Sequence, residues 1–540
     1  MKKIFLSVLL ASAVLTGCSD AYDIHQAGTV TQEDQVFRNS EDISKGIRYV
    51  YSMFPGETEI AFDSYFTDEL GVGYGNAGQG VNDGSYTFTL IAGNGNVQGI
   101  WGSYYGIVNR LNRMENRINE MLPELDASNP DNEEEISSLN KELAHIYALR
   151  AYCHYKLFAF FTPDYTDPNG LSIIKFDFLQ TDDYSRYEKR STVAEIVAFI
   201  EDDIAKAKEL AQDGDLGESA EGGSGYASAD MMDAVLVKLY SMLQTQDAYN
   251  KMEEAFNRLS VNKSLADVNT HLTMFGAGAN SADDTEGVFK LDRVSTDGTI
   301  QSGVASAWYG VSVGDSPYME MGRSLYNELD KLDPAQQGRV YNATRKDSRY
   351  IVSVLNTSKV APNYASLSQE DYRNEDILLV GKYDGTAIAN RPLMASLWQL
   401  RYTDMLLSLA EKRAFEGNLT GAHVDGDYSN VESIIYSIRA NRNLDMDGTA
   451  VSMPTDFSSP EAAYARILEE RRIEFAVEGQ RYLDMKRLGV RAGSLGFVRD
   501  PQDCASTNAC SLDPTDTKLT LPIPRSEMVA NPNMVQNPGY

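Results

Sequence analysis

Two long stretches of helical period constrain this chain more than any other feature. Residues 100–122 place Ile100, Trp101, Tyr104, Ile107, Val108, Leu111 and Met114 at three- and four-residue steps. Residues 133–161 repeat the pattern through Ile136, Leu139, Leu143, Ile146, Leu149, Cys153 and Leu157. Such spacing lines one face of a helix with apolar side chains. Pro163 and Pro168 end the second stretch, because proline cannot donate to a helical ladder. Ser191 or Thr192, followed by Glu195, is a cap signal for a helix over 193–211. The same period recurs over 228–244, 247–260, 395–416, 429–442 and 459–488. Several of these stretches are neighbours separated by short loops, and such helices bury their apolar stripes by stacking as hairpins. The expected fold is mostly α, although no clean repeat of roughly 34 residues is visible.

Between the helices the composition changes. Residues 71–99 are rich in Gly, Asn, Tyr and Ser, residues 213–226 and 276–288 are acidic and Gly-rich, and residues 295–320 and 355–392 mix Gly, Pro, Tyr and Ser. Long irregular segments on a rigid scaffold are where binding residues concentrate. The charge balance then narrows what is bound. Over 540 residues, 48 Lys and Arg stand against 78 Asp and Glu, a net charge of −30. Nucleic-acid binding needs clustered cations that displace counterions, so it is disfavoured. Adhesion to an anionic bilayer through a basic face is disfavoured for the same reason. The chain carries 31 Tyr, 19 Phe and only 3 Trp, and tyrosine combines an apolar face with a polar tip.

The N-terminus reads MKKIFLSVLLASAVLTGC, with Lys2 and Lys3 ahead of an apolar run from Ile4 to Leu15. The run is too short for a stable transmembrane helix and is read as a signal peptide, residues 1–17. Leu15-Thr16-Gly17-Cys18 resembles a bacterial lipobox, in which Cys18 becomes the lipidated first residue. An ordinary signal peptide followed by a chance cysteine is the alternative. Two or three acyl chains would anchor an otherwise soluble protein firmly. Residues 18–40 then form a polar tether and residues 41–540 a single domain. Cys504 and Cys510 bracket a polar loop, where a local disulfide suits an oxidising compartment. Cys153 lies in an apolar helix and is expected to be a buried free thiol.

A search for catalytic chemistry finds little. The five histidines, His25, His145, His154, His271 and His423, show no metal-ligand spacing, and His145 and His154 point to opposite faces of one helix. Gly73-x-Gly75-x-x-Gly78 matches a dinucleotide fingerprint in letters, but the adjoining stretch from Gln79 to Thr89 reads as loop or strand, not helix. No Gly-x-Ser-x-Gly elbow occurs. Asp283-Asp284-x-Glu286 and Asp445-x-Asp447-Gly448 offer carboxylates to calcium without the full loop pattern, and a solvated surface is the simpler reading. No catalytic residue, metal ligand or cofactor is assigned. A glycosidase would need two carboxylates about 5–10 Å apart across a cleft, and nothing marks such a pair.

Four blocks of the sequence are more specific. They are ILEERRIEFAVEGQRYLDMKRLG at 467–489, TLPIPRSEMVANPNMVQNPGY at 520–540, LRYTDMLLSLAEKRAFEGN at 400–418 and LAHIYALRAYCHYKLFAFFTPDY at 143–165. Together with the lipobox, they resemble the SusD/RagB family of Bacteroidetes outer-membrane lipoproteins over nearly the whole processed chain. Read physically, the blocks are structural. Leu468, Phe475 and Tyr482 are expected on one helical face, and Arg471, Arg472, Glu474, Glu478 and Arg481 at pairing distance along it. Pro522, Pro524, Pro532 and Pro538 fix an extended path of the tail over the scaffold.

The resemblance implies a scaffold of about four tetratricopeptide-like helix pairs, mainly 41–60, 100–260 and 395–490. It implies variable ligand-binding loops, mainly 63–99 and 276–392, and a tail over 491–540. It also implies a surface protein without enzymatic activity or cofactor. Such a protein captures oligosaccharide, or peptide in the RagB branch, above a SusC-like TonB-dependent transporter. A lipid-anchored glycosidase is the remaining alternative. Sugar recognition needs an aromatic platform for the ring's C–H face and polar groups for its hydroxyls. In the loops that the resemblance points to, the platform and amide candidates are Tyr74, Asn76, Asn94 and Asn96, together with Trp308, Tyr309 and Tyr318. Asp68 and Arg323 are the candidate hydroxyl partners. Trp101 and Trp398 keep helical register and are expected in the core.

Overall fold

Most of the periodic stretches form helices, and polar side chains set many of their ends. The computed structural model describes residues 36–179, 186–211, 216, 223–275, 285–292, 303–310, 313–339, 345–383, 395–444 and 451–540. The signal peptide, Cys18, most of the tether, Asp283, Asp284, Asp445 and Asp447 lie outside these residues. In chain order the elements are α1 Ser40–Tyr51, α2 Gly56–Phe66, β1 Leu70–Val72, α3 Gly95–Met121, α4 Pro130–Phe161, α5 Val193–Leu210, α6 Ala229–Leu243, α7 Gln246–Leu259 and α8 Val268–Met274. There follow β2 Gly287–Leu291, β3 Met319–Met321, α9 Arg323–Asp330, α10 Ser348–Ser353, α11 Gln369–Glu375, β4 Leu397–Arg401, α12 Tyr402–Phe415, α13 Val431–Ala440, α14 Pro460–Glu474 and α15 Arg481–Leu488. The tail carries β5 Phe497–Val498, β6 Ser511–Leu512 and α16 Arg525–Ala530.

The caps account for the boundaries. The Asn129 side chain accepts from Asp131 N and Pro130 opens α4, while Thr162 leaves the helical region just before Pro163. Thr192 and Glu195 close a capping box on α5. Between α6 and α7, Gln244 takes a left-handed conformation (φ 55°) and Thr245 caps the next helix, so the two helices reverse within two residues. The helices pack as neighbours: α3 on α4, α4 on α5, α6 on α7, and α12 on α6, α13 and α14. Among the described residues, three small antiparallel sheets stitch the rest. They are β1–β3 (Leu70 opposite Met321), β2–β4 (Gly287 opposite Arg401) and β5–β6 (Phe497 opposite Leu512). No helix among the described residues is long and apolar enough to cross a membrane.

Three expectations need correction. Residues 395–401 do not extend α12; 397–401 form β4, and Trp398 is buried there with its indole N–H donating to Met274 O at 3.0 Å. The helix expected over 459–488 breaks at 475–480. There Val477 (φ 53°) and Gly479 (φ 78°) turn the chain, and the buried Glu69 carboxylate accepts from Val477 N at 2.9 Å. Leu468, Phe475 and Tyr482 therefore share no single helix.

Arg471, Arg472, Glu474, Glu478 and Arg481 also pair across the fold and not with one another along a helix. Glu474 accepts from Arg401 (3.0 Å) and Arg442 (2.9 Å), and Arg471 binds Asp404 (2.5 Å) and Asp484 (2.7 Å). Glu286 joins Glu474 in this interior, contacting Arg401 and Arg442, so it belongs to no surface cluster. Burial alone would raise the Glu474 carboxyl, but Arg442 and Arg401 hold it well below the usual carboxylate range.

The tail is no free extension. Leu521 N donates to Phe160 O, and the buried Asn537 amide donates to Phe161 O and Leu521 O, which ties the C-terminus to the end of α4. Cys504 and Cys510 form a disulfide, and Cys153 is a buried free thiol.

Candidate functional site

The glycine-rich segment after β1 is built against the strand that ends in β3. The β1–β3 ladder continues past its formal end, with Gly73 N donating to Tyr318 O (3.1 Å) and Gly75 N to Pro317 O (2.9 Å). A Cβ on Gly73 would stand 2.4 Å from Pro317 O, and one on Gly75 2.3 Å from Ser316 O, so the close backbone approach requires glycine at both. Asn76 then locks the turn. Its Nδ2 donates to Tyr318 O and Gln79 O, and its Oδ1 accepts from Gly78 N. The Arg373 guanidinium donates to Gly73 O from the α11 side.

The structure separates the predicted site residues by role. Tyr74 projects from this braced loop with half of its surface exposed, and its hydroxyl makes no hydrogen bond among the described residues. Tyr318 is half-buried, its hydroxyl lying over Gly310. Asn96 is half-buried and donates to Asp83 Oδ2 at 3.2 Å. Asn94 is buried and is the cap of α3, accepting from Asn96 N (2.8 Å) and Val97 N (3.2 Å). Asn82 and Asp83 are exposed on the same loop.

Four candidates are corrected outright. Trp308 is fully buried, so its ring offers no platform, and Tyr309 is buried beside it with its hydroxyl donating to Val380 O. Val304, Ala305, Trp308 and Tyr309 all belong to the hydrophobic core. Asp68 is buried between Arg481 (2.9 Å) and Arg472 (3.3 Å). Burial would raise its carboxyl, but the two guanidiniums hold it below the usual range. Arg323 pairs with Asp376 at 2.8 Å and stacks on Tyr364, 3.9 Å from the ring centroid. Both side chains are buried, so neither presents a polar edge to a hydroxyl at the surface.

The arrangement left at the surface is one free tyrosine face on a rigid turn, with the exposed Asn82 and Asp83 further along the same loop. That set can stack on an apolar ring face and exchange hydrogen bonds with hydroxyls. The described residues contain no group of three or more His, Cys, Asp or Glu placed to hold a metal ion.

Comparison with known proteins agrees with the architecture. Residues 272–540 match the SusD family, and residues 31–215 match a family described as starch-binding, associating with the outer membrane. SusD-like protein P2 of Formosa agariphila is 24% identical over 564 residues, covering 100% of both chains. Among solved structures, a SusD homolog from Bacteroides thetaiotaomicron superposes with a TM-score of 0.68 at 16% identity, covering 95% of this chain and 99% of that one. A SusD superfamily protein from Bacteroides vulgatus gives 0.66 at 20% identity, covering 93% and 100%. At these identities the structures speak for the fold alone.

Proposed function

Since the chain belongs to the SusD/RagB family, we propose that it is a cell-surface, lipid-anchored glycan-binding protein. In this reading Cys18 carries the acyl chains, and the body captures oligosaccharide and hands it to a SusC-like TonB-dependent transporter. The observation that carries the reading is Tyr74, an aromatic face left free on a backbone locked by Gly73, Gly75 and Asn76. A platform held rigid before binding loses little conformational entropy on capture. The description of the matching N-terminal family as starch-binding and outer-membrane-associated supports the same ligand class and location. Binding is expected to be weak, because each sugar hydrogen bond replaces one with water.

Affinity electrophoresis against a glycan panel tests this. Tyr74→Ala should weaken retention by the bound glycan roughly tenfold, equivalent to about 1.4 kcal/mol, with the thermal midpoint unchanged. Retention of oligopeptides with no retention of any glycan would replace the carbohydrate reading by a peptide one. Release of reducing ends from a retained glycan would replace it by a glycosidase.

A further inference from the structure

A second aromatic surface lies away from the Gly-rich loop and is built by different elements. After α4 the chain runs back along α3 as an irregular segment, 172–179. Its start pairs with residue 191, Ser172 N donating to Ser191 O (2.8 Å) and Ser191 N to Ile173 O (2.7 Å). Beyond Ile173, three side chains hold it. The Tyr105 hydroxyl donates to Ile174 O and accepts from Ile174 N, both at 2.9 Å. Asn112 Nδ2 donates to Phe176 O (3.1 Å) and Phe178 O (3.0 Å). His154 Nε2 accepts from Phe176 N while its Nδ1–H donates to Arg150 O, so the imidazole is neutral, its pKa pushed down to about 3 by burial.

The consequence is a continuous aromatic wall. Ring centroids are 4.7 Å apart for Trp101 and Tyr105, 6.1 Å for Tyr105 and Phe176, and 4.6 Å for Phe176 and Phe178. The wall lines a cleft of about 170 Å³. Trp101 is 5% exposed and its indole N–H donates to no described residue. The opposite rim is polar. Asn531 Nδ2 donates to Glu188 O and Glu527 Oε1, and Arg186 pairs with Glu188 at 2.5 Å while stacking on Phe178.

We propose that this cleft is a second carbohydrate subsite that takes one neutral sugar ring against the Trp101–Phe178 wall. The proposal rests on the carbohydrate reading above. At the mouth the Arg186 guanidinium and the Glu188 carboxylate neutralise each other, and the Glu527 carboxylate disfavours an anionic ligand. A neutral ligand with one apolar face and a rim of hydroxyls fits both the wall and the mixed donors and acceptors. The volume suits a single ring and not a chain.

The three tryptophans make the test direct, because Trp308 and Trp398 are fully buried in the core. In protein labelled with 5-fluorotryptophan, the ¹⁹F resonance assigned through Trp101→Phe is followed during titration. The probes are methyl glycosides of gluco-, galacto-, manno- and xylo-configuration, each to about 50 mM, a range suited to one weakly held ring. The Trp101 resonance should move with at least one glycoside while the other two stay fixed. The apparent dissociation constant should rise at least about fivefold in Phe178→Ala and in Glu527→Gln, the latter a mild change at a partly exposed rim. The shift should persist in Tyr74→Ala. A Trp101 resonance unmoved by every glycoside overturns the subsite, even where the intact protein retains glycan through Tyr74. An equal response in Phe178→Ala and Glu527→Gln overturns it too. Loss of glycan retention in Tyr74→Ala with the Trp101 response intact supports two separate sites.

Discussion

At the scale of single residues, the interior of this protein is decided by charge as much as by apolar packing. Glu474 has no exposed surface and is surrounded by Arg401, Arg442 and Arg349. Removing one partner of such a set leaves guanidiniums buried without compensation, which costs about 3–5 kcal/mol. Glu474→Gln should lower the unfolding free energy by that much in a denaturant titration, and a loss under about 1 kcal/mol would show the cluster to be redundant. Asp503 behaves in the opposite sense. Burial raises its carboxyl from an ordinary 3.8 to about 7, although Tyr372 Oη and Arg323 N donate to it. The folded protein therefore holds a proton that the unfolded chain releases near pH 4. The stability tied to this group is complete below that pH, falls as pH rises towards 7, and is level above it. Glu69, also raised to about 7, adds a similar slope, so only the difference between proteins isolates Asp503. Between about pH 4.5 and about pH 8, the midpoint of Asp503→Asn should fall less than that of the unaltered chain. Equal falls in the two proteins would contradict the assignment.

At the scale of elements, helix boundaries follow local chemistry and the breaks within long patterns do not. Asn94 acts first as a local cap: its carboxamide oxygen satisfies two amides at the start of α3, the helix that carries Trp101 and Tyr105. Asn94→Ala should cost about 1 kcal/mol of stability, the usual effect of deleting a cap. Asn94→Asp should restore most of it in a urea titration, and a failure of that rescue would mean that the Nδ2 bond to Asp83 O matters more than the cap. The periods over 100–122, 133–161 and 247–260 and the capping signal at Thr192 correspond to α3, α4, α7 and α5 within a few residues. The pattern over 459–488 carries no visible break, because Val477 is a poor choice for a left-handed turn and is held there by Glu69, far away in sequence. Residues 395–401 read as helix for a related reason: a buried two-sided strand and a buried helix start are both continuous apolar runs.

At the scale of the whole molecule, the helical scaffold and family motifs were legible from residues alone, because period and capping are short-range properties. The candidate site was legible only in part. Within 71–99, residues 73–94 are irregular as the composition implies, whereas 71–72 belong to β1 and 95–99 to α3, and Tyr74 stands free on the irregular part. Trp308 lies in an equally irregular stretch, yet it is core, since exposure depends on which distant side chains close over a ring. The aromatic wall was invisible in sequence. Trp101 and Tyr105 come from α3, Phe176 and Phe178 from a segment some seventy residues on, and Glu527 from the tail. Its one local hint is the alternation of Phe176, Asp177 and Phe178 beyond the end of a helix.

Residue order and composition alone therefore set where helices run, how they start, that the chain is acidic, and which family it resembles. Each of these depends on residues within a few turns of one another or on simple counts. Only the tertiary structure decided which charges are interior, which aromatics are open to solvent, and which segments meet to form a cleft. Those outcomes depend on pairs such as Asp68 with Arg481 and Glu188 with Asn531, which are hundreds of residues apart in the chain. Where such a pair is buried in a low dielectric, as Asp68 and Arg481 are, neither charge can be left without the other.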